Sequence, residues 1–227
     1  MAVYEIAGLR VDMEAVGRTA LQAKPYLTDT PGPADCVIRC DPAALLRQMP
    51  QCKTEDLAEY MWTGAYFARR LLDFDGLQLH ASAVELEGKA WLFTAPSGTG
   101  KSTHTEKWRR LFGAKPLNDD KPALRKLAEG WVACGTPWSG KTDLSSPWSV
   151  PLGGIACLER GEENRIRRMT GAEALPYIFS QCVRRLEAEQ MDRQLSLLDA
   201  LLTQVPVWLL TARNDDEAAW VAREGML

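Results

Sequence analysis

One stretch limits what this chain can fold into more than any other: Ala95-Pro96-Ser97-Gly98-Thr99-Gly100-Lys101-Ser102. It follows an apolar run, Ala90-Trp91-Leu92-Phe93-Thr94, that reads as a strand. It opens a segment from Lys101 to Phe112 that reads as a helix. A strand, a glycine-rich turn and Gly-Lys-Ser at a helix start make the context of a phosphate-binding P-loop, the Walker A motif. Gly98 and Gly100 let backbone N–H groups converge on an anion with no Cβ in the way. The helix start adds its unpaired N–H groups and the positive end of its dipole. Lys101 offers a point charge to the β and γ phosphates of ATP, and the Ser102 hydroxyl a ligand to Mg²⁺. The first position of the pattern is Ala95 instead of glycine, where only a small residue is needed. A plain Gly/Ser-rich turn is the competing explanation, and the flanking strand and helix weigh against it. Nucleotide contacts are therefore expected from Pro96, Ser97, Gly98, Thr99, Gly100, Lys101, Ser102 and Thr103, with Lys101 facing solvent.

The rest of the composition narrows the class of protein. The chain has 227 residues, enough for one well-buried domain or a domain with a small appendage. A net charge of -3 argues against nucleic acid or an anionic membrane as the main partner. No apolar stretch approaches the ~18 residues of a membrane span. The first residues lack the basic-then-apolar form of a signal peptide, so a cytoplasmic protein is expected. The six cysteines are scattered and mostly in apolar surroundings, as small hydrophobes in a reducing compartment are. Cys36, Cys40 and Cys52 form no Cys-x-x-Cys pair and have no histidine nearby, which disfavours a zinc site.

Along the chain, residues 1–52 read as a small N-terminal β region packed on the main domain, and residues 53–227 as that domain. Tyr4 to Met13 alternates imperfectly, residues 28–33 form a turn cluster, and Cys36 to Cys40 reads as a strand. The first strong helix runs over residues 54–73, with Thr54 as N-cap and acids in its first turn. Leu77 to Val84 reads as one strand carrying His80, and a hairpin turn over residues 85–89 leads into the P-loop strand. His80 is thus expected beside the P-loop strand, either as a packed structural residue or as part of the site. After the P-loop helix come Asp119 and Asp120 on a short segment. They are either a solvated turn or a pair suited to hold Mg²⁺ and to take a proton from an acceptor hydroxyl. A second hairpin, over residues 122–135, empties into Thr136-Pro137-Trp138-Ser139-Gly140-Lys141-Thr142. Trp138, Ser139 and Lys141 there suit a loop that touches substrate or phosphate, unless it is an ordinary connection. Residues 153–158 read as a buried strand, and residues 159–168, rich in arginine, as a mostly solvated face from which one arginine reaches a nucleotide. A capping-box spacing starts a helix at Thr170, and a long helix, a strand and a last helix follow.

In this order, Leu79-His80-Ala81-Ser82-Ala83, the hairpin, the P-loop, Asn118-Asp119-Asp120 and Gly135 to Lys141 resemble the HPr kinase-like family of the phosphoenolpyruvate carboxykinase superfamily, over residues 77–210. The resemblance implies an α/β fold in which a P-loop is set in a mixed, strand-rich sheet. It implies ATP on Gly98 to Ser102, with Mg²⁺, or alternatively Mn²⁺, held by Ser102 and the acidic pair. It further implies that His80 lies beside metal and acceptor, with Asp119 favoured as base and Asp120 as metal ligand, the two being able to exchange roles. Lys141 has no counterpart in the family and stands on loop chemistry alone. The expected activity is ATP-dependent phosphoryl transfer to a serine-type hydroxyl of a peptide, protein or small molecule, in a protein able to form homo-oligomers. The chain is shorter than a full HPr kinase, and the loop such an enzyme uses on its protein substrate is not recognised. The alternatives are a non-catalytic nucleotide-binding accessory protein of a biosynthetic or peptide-maturation cassette and, less favoured, a carboxykinase.

Overall fold

In the computed structural model, which describes residues 2–227, the alternation near the N-terminus becomes a hairpin. β1 (Ala2–Ile6) pairs antiparallel with β2 (Leu9–Met13). Tyr4, Ile6, Leu9, Val11 and Met13 are all buried, as a period of two with one covered face requires. α1 (Gly17–Ala23) follows, and β3 (Cys36–Ile38) returns parallel to β2 to complete a three-stranded sheet. α2 (Pro42–Gln48) is capped by Asp41, whose carboxylate accepts from the N–H groups of Ala43 and Ala44. The sequence suggests only strands and turns over residues 1–42, so α1 is an addition. It has no side-chain cap, and it packs against α3 (Glu55–Leu71). α3 itself starts where the sequence puts it, with the Thr54 hydroxyl accepting from Leu57 N–H and Glu55 and Asp56 in the first turn.

Beyond α3 the chain builds a mixed sheet, nine-stranded among the described residues. β4 (Gly76–Gln78), β5 (Ala81–Leu86) and β6 (Lys89–Thr94) lead to α4 (Lys101–Phe112). β7 (Lys115–Asn118), β8 (Ala123–Leu127), β9 (Gly130–Cys134), β10 (Ser149–Arg160) and β11 (Arg165–Arg168) come next. α5 (Gly171–Ser180), α6 (Ala188–Gln204), β12 (Val207–Ala212) and α7 (Glu217–Met226) close the described chain. The fold is α/β. β6 runs antiparallel to β5 and parallel to β10, and β12 continues the parallel part.

Two-sided burial explains why the strand before the P-loop is an unbroken apolar run. Trp91 and Phe93 share one cluster with Trp108 of α4 and with Ala218 and Ala222 of α7. Ala90 and Leu92 face the other way, onto Ala174 and Ile178 of α5 and Leu198 and Leu201 of α6. The β5–β6 turn has φ of 55° at Glu87 and 77° at Gly88, as a tight type I′ hairpin needs.

Two expectations are corrected here. Leu77 to Val84 is not one strand: β4 pairs with β8, whereas β5 pairs with β6 and β7. The break falls at Leu79 and His80, which instead meet Cys182 and Gln181; His80 N–H donates to the Gln181 carbonyl at 2.9 Å. The arginine-rich face at residues 165–168 is exposed at its arginines but is also a strand, because its backbone pairs with β12 and Ile166 packs under α7.

Candidate functional site

β6 delivers the loop Ala95–Ser102 from the middle of the sheet and α4 carries it away. Gly98 and Gly100 have φ of +81° and +121°, backbone that side chains disfavour. Ala95 is 4% exposed within the cluster around Phe93 and Trp108, so its smallness is a packing requirement. Ser102 and Thr103 present exposed side chains, and α4 starts without a side-chain cap on its first N–H groups. Lys101 departs from the expectation of a solvent-facing side chain. It is 7% exposed, and its Nζ donates to the carbonyls of Ala95 at 2.9 Å and Pro96 at 3.4 Å. Burial pushes its pKa down, against the opposing pull of the Asp120 charge. On the other side, Arg160 at the end of β10 donates to the carbonyls of Gly98 and Thr99, at 2.5 and 3.3 Å.

The segment after α4 separates its two carboxylates. Asn118 is fully buried. Its Nδ2 donates to the Thr136 carbonyl at 2.9 Å, and its Oδ1 accepts from the N–H groups of Asp120 and Lys121 at 2.9 and 2.6 Å. That turn sends Asp119 and Asp120 to different partners. Asp119 is 6% exposed; it accepts from Gly140 N–H at 2.6 Å and from the Thr142 hydroxyl. Asp120 meets His80 Nε2 at 3.2 Å and Lys121 Nζ at 2.5 Å. Burial alone would raise the Asp120 pKa; the His80 hydrogen bond and the Lys121 charge outweigh it and hold the group at about 2. His80 Nδ1 in turn lies 2.9 Å from Gln181 Oε1.

The structure therefore brings His80 and Asp120 into contact, while both oxygens of Asp119 are engaged by the 140–142 loop. His104 lies elsewhere. It is 3% exposed, with its ring centroid 4.5 Å from that of Phe93, and its Nε2 accepts from Trp108 Nε1 at 3.2 Å. Burial pushes its pKa down to about 3, so the ring stays neutral.

The loop from Thr136 to Thr142 is anchored from several sides. Trp138 Nε1 donates to Thr63 Oγ1 at 3.1 Å, and its ring stacks on Phe67 at 5.0 Å. Tyr60 Oη donates to the Ser139 carbonyl at 2.8 Å. Arg18 donates to the Gly140 carbonyl at 2.8 Å and lies 4.3 Å over the Tyr60 ring. Trp138 and Ser139 are both buried and line a cavity; Lys141 is exposed and does not line it.

Three openings surround the P-loop. The largest, about 790 Å³, is bounded by Pro96 and Ser97 on one side and by His80, Asp120 and Lys121 on another, with Trp138 and α3 behind. A second, about 720 Å³, runs from the P-loop to Glu159, Arg160 and Tyr177. A third, about 550 Å³, lies over the start of α4 beside Lys107, Arg160 and Arg213. Sequence reading did not find Gln181 or Tyr60 behind the loop, and did not say that Arg160 is the arginine of residues 159–168 that reaches the P-loop. All three depend on contacts between distant segments. Among the described residues no group of three or more His, Cys, Asp or Glu side chains is placed to hold a metal ion, and no helix is long and apolar enough to cross a membrane.

No protein-family model matches this chain, and no curated protein does. Among solved structures, the HPr(Ser) kinase/phosphatase from Coxiella burnetii matches over 65% of this chain and 94% of that chain, at 13% identity and a TM-score of 0.40. A likeness that loose carries no weight for the site, which stands on the residues above.

Proposed function

We propose that this chain is an ATP-dependent phosphotransferase of the HPr kinase-like type, moving the γ-phosphoryl group of ATP to a hydroxyl acceptor. One observation supports this above the others: the P-loop residues Pro96 and Ser97 and the His80–Asp120 pair bound the same cavity. A hydroxyl in that cavity would sit between a phosphate cradle and an ionised carboxylate. Catalysis of this kind is mostly positioning and charge neutralisation.

Mg²⁺ bound with ATP takes one or two protein oxygens and completes its shell with phosphate oxygens and water. The exposed Ser102 hydroxyl would hold the ion, with phosphate oxygens and water for the rest of its shell, and Mn²⁺ would find the same group. When bound, the ion would neutralise charge on the phosphates. The P-loop N–H groups from Gly98 to Thr103 bind the phosphate oxygens. Lys101 turns from the carbonyls of Ala95 and Pro96 towards the β and γ phosphates. The acceptor oxygen forms a bond to the γ-phosphorus as the bond to the β–γ bridging oxygen breaks, and ADP leaves with that oxygen. The hydroxyl proton passes to the Asp120 carboxylate and on to water. His80 holds that carboxylate in place. Asp119, which the family resemblance favoured as base, acts in this scheme as a positioning residue that fixes the 138–142 loop.

Calorimetric titration with a non-hydrolysable ATP analogue and Mg²⁺ tests the nucleotide site. Lys101→Met keeps the buried stem and removes the charge, so the variant is expected to stay folded and to lose most of the affinity. Unchanged affinity in a folded variant would remove the P-loop assignment.

A further inference from the structure

The cavity shared by the P-loop and the His80–Asp120 pair carries more information than a phosphoryl-transfer site requires. Its volume, about 790 Å³, is that of a small-molecule pocket rather than of a flat protein-docking face. Two buried polar groups in its wall lack partners. Gln78 is 8% exposed and its Nε2 makes no hydrogen bond; Ser139 is 4% exposed and its Oγ makes none. Buried polar groups of native proteins are paired in the great majority of cases, so two such groups in one cavity wall point to a ligand. The charges agree in sign. Lys121 and Arg184 line the cavity with the single carboxylate of Asp120; Lys121 is paired with that carboxylate at 2.5 Å, which leaves the charge of Arg184. The amide of Gln78, the ammonium and the guanidinium are hydrogen-bond donors, and the Ser139 hydroxyl can donate as well. Met61, Ala65, Trp138 and Val183 add apolar lining.

We infer that this cavity binds the phosphoryl acceptor itself, and that the acceptor is a small hydroxylated carboxylic acid with an apolar body. Its carboxylate meets Arg184 and the unpaired donors of Gln78 and Ser139. Its apolar part lies on Trp138 and α3, and its hydroxyl faces Asp120. The inference rests on the phosphotransferase proposed above. The step is the one already written: the acid's hydroxyl oxygen takes the γ-phosphoryl group, ADP leaves, and the proton goes to Asp120.

The test uses the whole chain with Mg-ATP and a panel of 2- and 3-hydroxy acids of three to ten carbons, their primary amides and the corresponding alcohols. Transfer is read as ADP release and as phosphorylated product by mass spectrometry. Binding of a non-hydrolysable ATP analogue is measured separately, so that failure of the nucleotide site is told apart from failure of the acceptor assignment. At least one hydroxy acid is expected to be phosphorylated, with kcat/KM at least tenfold above that of its amide, and Arg184→Ala is expected to erase that preference.

Gln78→Leu and Ser139→Ala remove donors that are unpaired in the free protein. Each is expected to leave its melting temperature unchanged or higher, while raising KM for the acid about tenfold. A structural role for these groups would instead lower the melting temperature. The inference is overturned if the analogue binds yet no acid on the panel is phosphorylated. It is equally overturned if amides or alcohols serve as well as acids, or if both donor variants keep the wild-type KM.

Discussion

Replacing Asp119 and Asp120 one at a time separates the two roles assigned to them. Asp119 is 6% exposed and uses both carboxylate oxygens, one on Gly140 N–H at 2.6 Å and one on the Thr142 hydroxyl. In Asp119→Asn one oxygen becomes an NH₂ group that faces a donor, so one charge-assisted hydrogen bond is lost. Such a bond contributes about 1.5–3 kcal/mol. For a chain of this size each kcal/mol moves the melting temperature by about 2–4 °C, so a fall of about 3–12 °C is expected.

Asp120→Asn differs on both counts. The Asp120 side chain is 29% exposed, and those of its partners His80 and Lys121 are 25% and 36% exposed. Each of these two pairs meets solvent and contributes about 0–1 kcal/mol, so the melting temperature moves by no more than about 8 °C. Transfer should fall by about 10²–10⁴, the usual loss for a general base. Differential scanning fluorimetry without ligand, paired with ADP release at saturating ATP, reads both quantities on the same samples. The assignment is refuted if Asp119→Asn keeps its melting temperature and loses transfer while Asp120→Asn keeps transfer.

His80→Ala should lower transfer strongly with little change in affinity for the ATP analogue, because its ring touches Asp120 and Gln181; weakened nucleotide binding would place it in the nucleotide site instead. His104→Ala should cost roughly 2–4 kcal/mol of stability by leaving a cavity between Phe93 and Trp108; an unchanged urea midpoint would contradict that packing. Glu59 is fully buried, with Oε1 on Val16 N–H at 2.9 Å and Oε2 unpaired, and burial raises its pKa. Its contribution to stability is therefore present below the unfolded pKa and lost as pH rises through the folded one. Glu59→Gln should accordingly gain on the wild type as pH rises above the ordinary carboxylate range in urea unfolding, and a difference that does not change with pH would rule this out.

Local chemistry made the P-loop legible before any fold was known. A buried run, two glycines, and a lysine and a serine at a helix start all lie within one short stretch of chain, residues 90–102. The same holds for the Thr54 cap, the capping box at Thr170 and the Glu87-Gly88 turn, which are satisfied by neighbours three or four residues away. The division of labour between Asp119 and Asp120 was not legible. It is set by Asn118, which folds the backbone between them, and by Gly140 and Thr142, about twenty residues on. The break in the strand at His80 depends on Gln181 and Cys182, a hundred residues away. The contact of Arg160 with the loop at Gly98 and Thr99 depends on how β6 and β10 align. Sequence determines chemistry wherever the partner is near in the chain. Where the partner comes from another strand, only the register of the sheet decides which side chain meets which, because a single-residue slip turns every one of them to the opposite face.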